Sequence, residues 1–207
     1  MAERLSAQDW IDFALRTLAR EGYEVLRADV LARKLKVSRG SFYWHFADLN
    51  AFHARLIARW RETATEEIIA VLERHAPDER LDVLLRRAFA HHNRLELRMR
   101  AWADTSAAAA RAVAAVDRRR CRYIEKMLIA AGVARPRAAT RTQLLYWTYL
   151  GAALSRSRLS GARLARTVAE LKRIGLGQGR ERSGSPGERS DTRDGAFSVR
   201  KRSRMSP

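Results

Sequence analysis

Ten consecutive residues, Val37-Ser38-Arg39-Gly40-Ser41-Phe42-Tyr43-Trp44-His45-Phe46, hold the densest set of groups able to do chemistry in this chain. A guanidinium in a first helical turn can donate two parallel hydrogen bonds to a guanine edge or a phosphate. Hydroxyls on either side of a glycine allow a close approach to phosphates and bases. The tips of Tyr43, Trp44 and His45 can add hydrogen bonds and apolar contact with thymine methyls. On a helical wheel with Phe42 at the origin, Phe46 falls about 40° away, while Gly40 and Trp44 fall near the opposite side and Ser41 about 100° round. The spacing therefore predicts a short helix with two phenylalanines facing a core and Arg39, Gly40, Ser41, Tyr43, Trp44 and His45 available to a ligand such as a DNA groove. Tyr43 and Trp44 as core aromatics is the competing expectation, but Phe42 and Phe46 already claim the inner face of so short a helix.

The elements that must position this helix are legible around it. Ser6 and Asp9 form a capping-box pattern ahead of Trp10, Ile11, Ala14, Leu15 and Leu18, and Gly22 ends that first helix. A second helix is expected over residues 28–35, with Val30, Leu31 and Leu35 inward, and Ser38 is placed to cap the next. Asp48 can cap a long helix running through Phe52, Leu56, Ile57, Trp60, Ile68, Ile69 and Leu72 to His75, ended by Ala76-Pro77. Further helices are expected at about 79–90, 95–103, 107–131, 136–157 and 162–174, separated by Gly132, Arg135-Pro136 and Ser160-Gly161. Glycine and proline are scarce before residue 176 and no run alternates strictly, so the chain reads as all-α.

Residues 6–60 resemble the DNA-binding domain of TetR-family regulators, whose pattern is an apolar first helix, then Leu-Ala, then Gly-Val-Ser, then Tyr-x-x-Phe. This chain has Gly22, Leu31-Ala32, Val37-Ser38 and Tyr43-Trp44-His45-Phe46 at the corresponding spacing. The resemblance implies a homodimer, a three-helix DNA-binding domain with a helix-turn-helix on each subunit, and a C-terminal helical domain that binds a small-molecule effector and dimerises. The expected domains are 1–50 and 51–176, and the Gly-, Ser- and Arg-rich composition from residue 177 sets off a tail over 177–207, expected to be disordered and to add only non-specific affinity. Two positions depart from the pattern: Lys36 stands where the family commonly has the glycine of the turn, and Leu49 where it often has a phosphate-touching lysine. Lys36 and Arg27 are the candidates to grip phosphates instead, with Ser38 beside them. Arg33 and Lys34 read as a solvated face.

The C-terminal part offers polar residues and aromatics with polar tips, His91, His92, Asn93, Trp102, Tyr123, Tyr146 and Trp147, as candidate lining of an effector pocket, with ordinary core packing as the alternative for each. Leu144, Leu145, Trp147, Thr148, Gly151 and Ala152, with Leu164, Val168 and Leu171, are candidates for the dimer contact. His92 and Glu96 are four apart, yet no third ligand lies near them in sequence, so no metal is expected, and no cofactor. No nucleophile elbow, phosphate-binding glycine loop or metalloprotease motif occurs, so an enzyme is not expected.

The formal net charge of +18 suggests a polyanion partner, but its location argues otherwise. Residues 1–60 carry 10 basic against 7 acidic residues, 61–176 carry 23 against 12, and 177–207 carry 8 against 4. The excess lies largely outside the expected DNA-binding segment, so the local motif carries the functional reading. One cysteine, Cys121, cannot form a disulfide within the chain, and the most apolar stretch, 143–154, falls short of the roughly 20 residues that span a bilayer. A cytoplasmic, membrane-free protein is expected. The expected activity is a dimeric repressor at a palindromic operator. The alternative is a helical ligand-binding or interaction protein without sequence-specific DNA binding.

Overall fold

The computed structural model describes residues 5–90, 94–155 and 159–177, and every regular element among them is helical. The first helix, α1 (Ala7–Glu21), starts as the capping box requires: Ser6 Oγ accepts from the Asp9 amide, and Asp9 accepts from the Ser6 amide at 2.7 Å. It ends at Gly22, whose amide returns to Leu18 O at 3.0 Å with φ at 101°, a conformation a side chain would strain. A single 3-10 turn, Tyr23–Val25, leads into α2 (Ala28–Leu35), and α3 (Arg39–His45) follows after a tight turn.

Asp48 caps α4 (Leu49–Arg61) through the Ala51 amide at 2.7 Å. The long helix expected from here to His75 is not uniformly α-helical. A π turn, Glu62–Glu66, interrupts it before α5 (Glu67–Glu73). The backbone stays in the right-handed helical region throughout, so α4, the π turn and α5 form one rod containing an extra residue. Helices α6 (Arg80–Ala90), α7 (Arg94–Ala103), α8 (Ala107–Ala130), α9 (Arg135–Leu154) and α10 (Gly161–Leu176) complete the bundle. No helix among the described residues is long and apolar enough to cross a membrane.

The core falls into two main clusters. The first gathers Trp10, Leu18, Leu31, Phe42, Phe46, Phe52, Leu56 and Trp60 from the first four helices with Met99 and Trp102 of α7 and Ala109, Ala112, Val113 and Val116 of α8. It therefore draws on both sides of residue 50. The second joins Leu81, Leu85 and Phe89 of α6 to Ile124 and Leu128 of α8, Leu145 and Tyr146 of α9, and Val168 and Leu171 of α10. Gly175 lets α10 approach closely, since a Cβ there would meet the Leu145 side chain at 3.1 Å. Leu145, Val168 and Leu171, candidates for a dimer contact, are thus buried within the subunit, because the faces they occupy are those turned to α6 and α8.

Candidate nucleic-acid interface and effector cavity

Phe42 decides how α3 sits. It is fully buried, and its ring packs edge-on to Trp10 at 5.4 Å and Phe52 at 5.1 Å, and tilted against Phe46 at 5.1 Å. With that face fixed, the helical period turns the opposite side outward, with Trp44 74% exposed, and leaves Tyr43 on the flank, 46% exposed with its ring edge-on to Phe42 at 5.3 Å. Arg39 and Gly40 are exposed beside them, and Ser41 and His45 are half-buried. A Cβ added at Gly40 would meet only Ser38 Oγ, at 3.7 Å, so the protein itself leaves that position room for a side chain.

Arg39 is already shaped by its neighbour. Its Nη2 donates to Tyr43 Oη at 3.1 Å and its guanidinium lies over the Tyr43 ring, 5.4 Å from the centroid. The hydrogen bond from Arg39 to Tyr43 raises the Arg39 pKa, and the cation stands on an aromatic platform at the helix surface. Arg55 of α4 lies likewise over Phe46, at 5.5 Å.

The turn between α2 and α3 is closed by Lys36 in the left-handed region, at φ 57° and ψ 38°. Its amide returns to Ala32 O and Arg33 O, and the Val37 amide returns to Ala32 O at 3.0 Å, the hydrogen-bonding pattern that ends a helix when the next residue turns left-handed. Lysine here accepts the strain that glycine would avoid. Ser38 occupies the N-cap position of α3, but its side chain makes no capping hydrogen bond. Arg27, the N-cap residue of α2, pairs with Asp29 at 3.3 Å, and Lys34 pairs with Glu21 at 2.8 Å. Leu49, in the place of a phosphate-touching lysine, packs partly buried against the first core.

A second site lies in the other half of the molecule. A cavity of about 410 Å³ opens between the π turn, α6, α7, α8 and α9. Tyr123 and Tyr146, both expected as lining, are there. Trp102 and Trp147 lie elsewhere. Trp102 is buried in the first core with its ring 5.0 Å from that of His53, and Trp147 is 61% exposed on the outer face of α9. His91, His92 and Asn93 fall outside the described residues, as does the tail beyond Gly177. Among the described residues no group of three or more His, Cys, Asp or Glu side chains is placed to hold a metal ion.

Sequence reasoning missed the charged wall of this cavity. Glu96 is 4% exposed, with Oε1 on Arg100 at 2.7 Å and Oε2 on Arg120 at 2.9 Å. Arg100 also grips Asp117 through two bonds, at 2.6 and 3.1 Å, and Tyr146 Oη donates to Asp117 Oδ1 at 2.6 Å. Arg120 donates Nε and Nη2 to the carbonyl of Ala64, inside the π turn, at 3.3 and 3.0 Å. Burial opposes the charge on Arg120, but Glu96 and the neighbouring tyrosines outweigh it and hold the guanidinium above its ordinary pKa. Burial pushes the Tyr149 hydroxyl up to about 12 and raises that of Tyr146 as well. The Glu96 to Arg100 spacing of four was a visible helical ion pair; the partners from α8 were not adjacent in sequence.

Comparison with known proteins agrees with this architecture. Residues 11–51 match the family described as bacterial regulatory proteins, tetR family. Three solved structures share the fold at low identity. Reduced NemR of E. coli has a TM-score of 0.66 and 17% identity, over 81% of this chain and 96% of that one. A putative transcriptional regulator from Saccharomonospora viridis in complex with choline has 0.64 and 18%, over 80% and 93%. The fatty acid degradation regulator FadR from Bacillus halodurans has 0.60 and 16%, over 85% and 97%. No curated protein sequence matches the chain. The matched segment runs from within α1 through the left-handed turn at Lys36 and the whole of α3 to the start of α4, and over that segment the chain is similar to the bacterial regulatory proteins of the tetR family.

Proposed function

We propose that the protein is a ligand-responsive repressor that binds a palindromic operator as a homodimer, with residues 1–50 contacting DNA and residues 51–176 binding the effector and dimerising. Arg39, Gly40, Ser41, Tyr43, Trp44 and His45 enter the major groove, and Arg27, Lys36 and Ser38 contact phosphates on either side. The observation that carries this reading is the split of α3, in which Phe42 is fully buried while Trp44 is 74% exposed. A large aromatic that a folded subunit leaves in water beside an arginine and a glycine suits a groove rather than a core.

Dimerisation is supported by an exposed stripe on α9: Leu144 at 45%, Trp147 at 61% and Leu154 at 68%, with Thr148 and Gly151 exposed between them. A two-fold dimer would set two copies of α3 one helical turn of DNA apart, about 34–36 Å. The cavity of about 410 Å³ is the effector site, and an effector that favours a different spacing of the two α3 helices would release the operator. The choline held by the S. viridis regulator is consistent with a small molecule bound in this fold.

Replacing Tyr43 and Trp44 together by alanine should abolish specific operator binding while the dimer stays folded, and intact binding by that variant sinks the assignment. The pairing of Arg27 with Asp29 and the packing of Leu49 into the core favour a second reading, a helical ligand-binding protein without sequence-specific DNA binding. A titration across salt separates the two. Operator affinity well above that for random DNA supports the repressor, whereas a steep slope independent of sequence supports the alternative.

A further inference from the structure

The chemical class of the effector follows from which polar atoms of the cavity are already engaged, an inference that rests on the cavity being the effector site. Its charges are satisfied internally. Both oxygens of Glu96 are held, one by Arg100 and one by Arg120. Arg120 spends Nε and Nη2 on Ala64 O and Nη1 on Glu96, and its guanidinium lies over the Tyr149 ring at 5.7 Å. The Tyr149 face, beside the charged wall, therefore already carries a cation and is not open to a quaternary ammonium. Arg100 and Asp117 neutralise each other, so the four charges sum to zero. Arg87, a further lining cation, sits exposed at the edge. A buried charged head group would find no unspent counter-charge among the four.

Two hydroxyls in the lining are in the opposite condition. Thr65 Oγ1 and Tyr123 Oη are buried, in residues 3% and 7% exposed, and neither has a hydrogen-bond partner. Thr63, in the same π turn, donates to Arg59 O at 3.1 Å and Trp60 O at 3.2 Å in the way a helical threonine ordinarily does. Thr65 does not, and buried polar groups left in that state call for an explanation. The rest of the lining is dominated by apolar side chains such as Trp60, Ile68, Leu85, Phe89 and Leu145. We propose that the effector is an uncharged, largely apolar molecule bearing one hydroxyl or carbonyl group, which Thr65 and Tyr123 engage by hydrogen bonds.

Three probes of equal chain length test this on the full chain by calorimetric titration below their micelle concentrations: decanol, decanoate and decyltrimethylammonium. Decanol should bind at least about tenfold more tightly than either charged probe, and Thr65→Val with Tyr123→Phe should weaken decanol at least about tenfold. Tightest binding by a charged probe overturns the proposal while leaving an effector cavity in place, and so does unchanged decanol affinity in the variant. Binding of none of the three overturns the proposal and the cavity reading together. The ranking of probes needs only the unaltered protein, so it decides the matter even where the double variant fails to fold.

Discussion

Truncating Phe42 and truncating Trp44 should have opposite consequences, although the two residues are two positions apart on one helix. Phe42 is fully buried with four other aromatic rings within 5.4 Å, so Phe42→Ala opens a cavity in the first core and should cost about 4 kcal/mol. For a chain of this size that lowers Tm by about 8–16 °C. Trp44 is 74% exposed, which leaves about a quarter of a side chain of at most about 250 Å² to contribute, or about 65 Å². At about 25 cal/mol per Å², reduced because the unfolded chain is itself partly collapsed, Trp44→Ala should cost about 1 kcal/mol, or about 2–4 °C. Its effect on operator affinity should instead be large, about 2 kcal/mol or some thirtyfold, if the ring meets the groove. Thermal melts of both variants beside an operator titration at fixed salt read out all four quantities. A melting loss in Trp44→Ala equal to that in Phe42→Ala would refute the assigned orientation of α3, and with it the case for a groove-facing surface.

Lys36→Gly should stabilise the protein by about 0.5–1 kcal/mol in denaturant melts, the relief of left-handed strain at φ 57° exceeding the added freedom of glycine in the unfolded chain. His53, whose Nε2 donates to Leu26 O at 3.0 Å, has its pKa lowered by burial below the ordinary 6.5, so the unfolded state takes up the proton first as pH falls. The stability from this group is thus complete above pH 6.5 and declines as pH falls towards the folded pKa, and His53→Gln should flatten that decline in melts taken across the range. Arg120→Met leaves Glu96 with Arg100 alone and strips Ala64 O of its donor, a loss of about 3 kcal/mol. Adding Glu96→Met should recover most of it, since Arg100 keeps its two bonds to Asp117, and a double variant no more stable than the single one would contradict the pairing.

What was legible in the sequence was local. The capping box at Ser6, the stop at Gly22, the cap at Asp48 and the Phe42/Phe46 face each depend on residues within one or two turns, where spacing alone fixes geometry. The strain at Lys36 was legible too, as a side chain in a turn that prefers glycine. The π turn left a trace that went unread: the buried residues Trp60 and Thr65 are five apart, a step of about 140° around an α-helix, and only an extra residue returns them to one side. The cavity was legible only in part. Tyr123 and Tyr146 line it, but a helical wheel cannot say which neighbour a face meets, so Trp102, held against His53, and Trp147, facing solvent, looked equivalent to them. The second partner of Glu96 comes from α8, twenty-four residues away at Arg120, a pairing that no local pattern encodes.

The shared first core constrains how any signal could pass from cavity to DNA. Phe52, near the start of α4, packs on Phe42 and Phe46 at 5.1 and 5.0 Å, while Thr63, Ala64 and Thr65, farther along the same rod in the π turn, line the cavity. Helix α7 repeats the arrangement, with Trp102 against His53 at one end and Leu95 and Glu96 in the cavity wall at the other. Swinging α1 to α3 about a hinge near residue 50 would tear Met99, fully buried, and Trp102, 5% exposed, out of the core they share with Trp10 and Phe52. That exposure of apolar surface makes a free pivot costly. A change of spacing between two α3 helices must therefore carry α4 and α7 along as rigid parts, with the π turn, held by Arg120 on the Ala64 carbonyl, as the irregular segment of the rod where the cavity contents can bear on it.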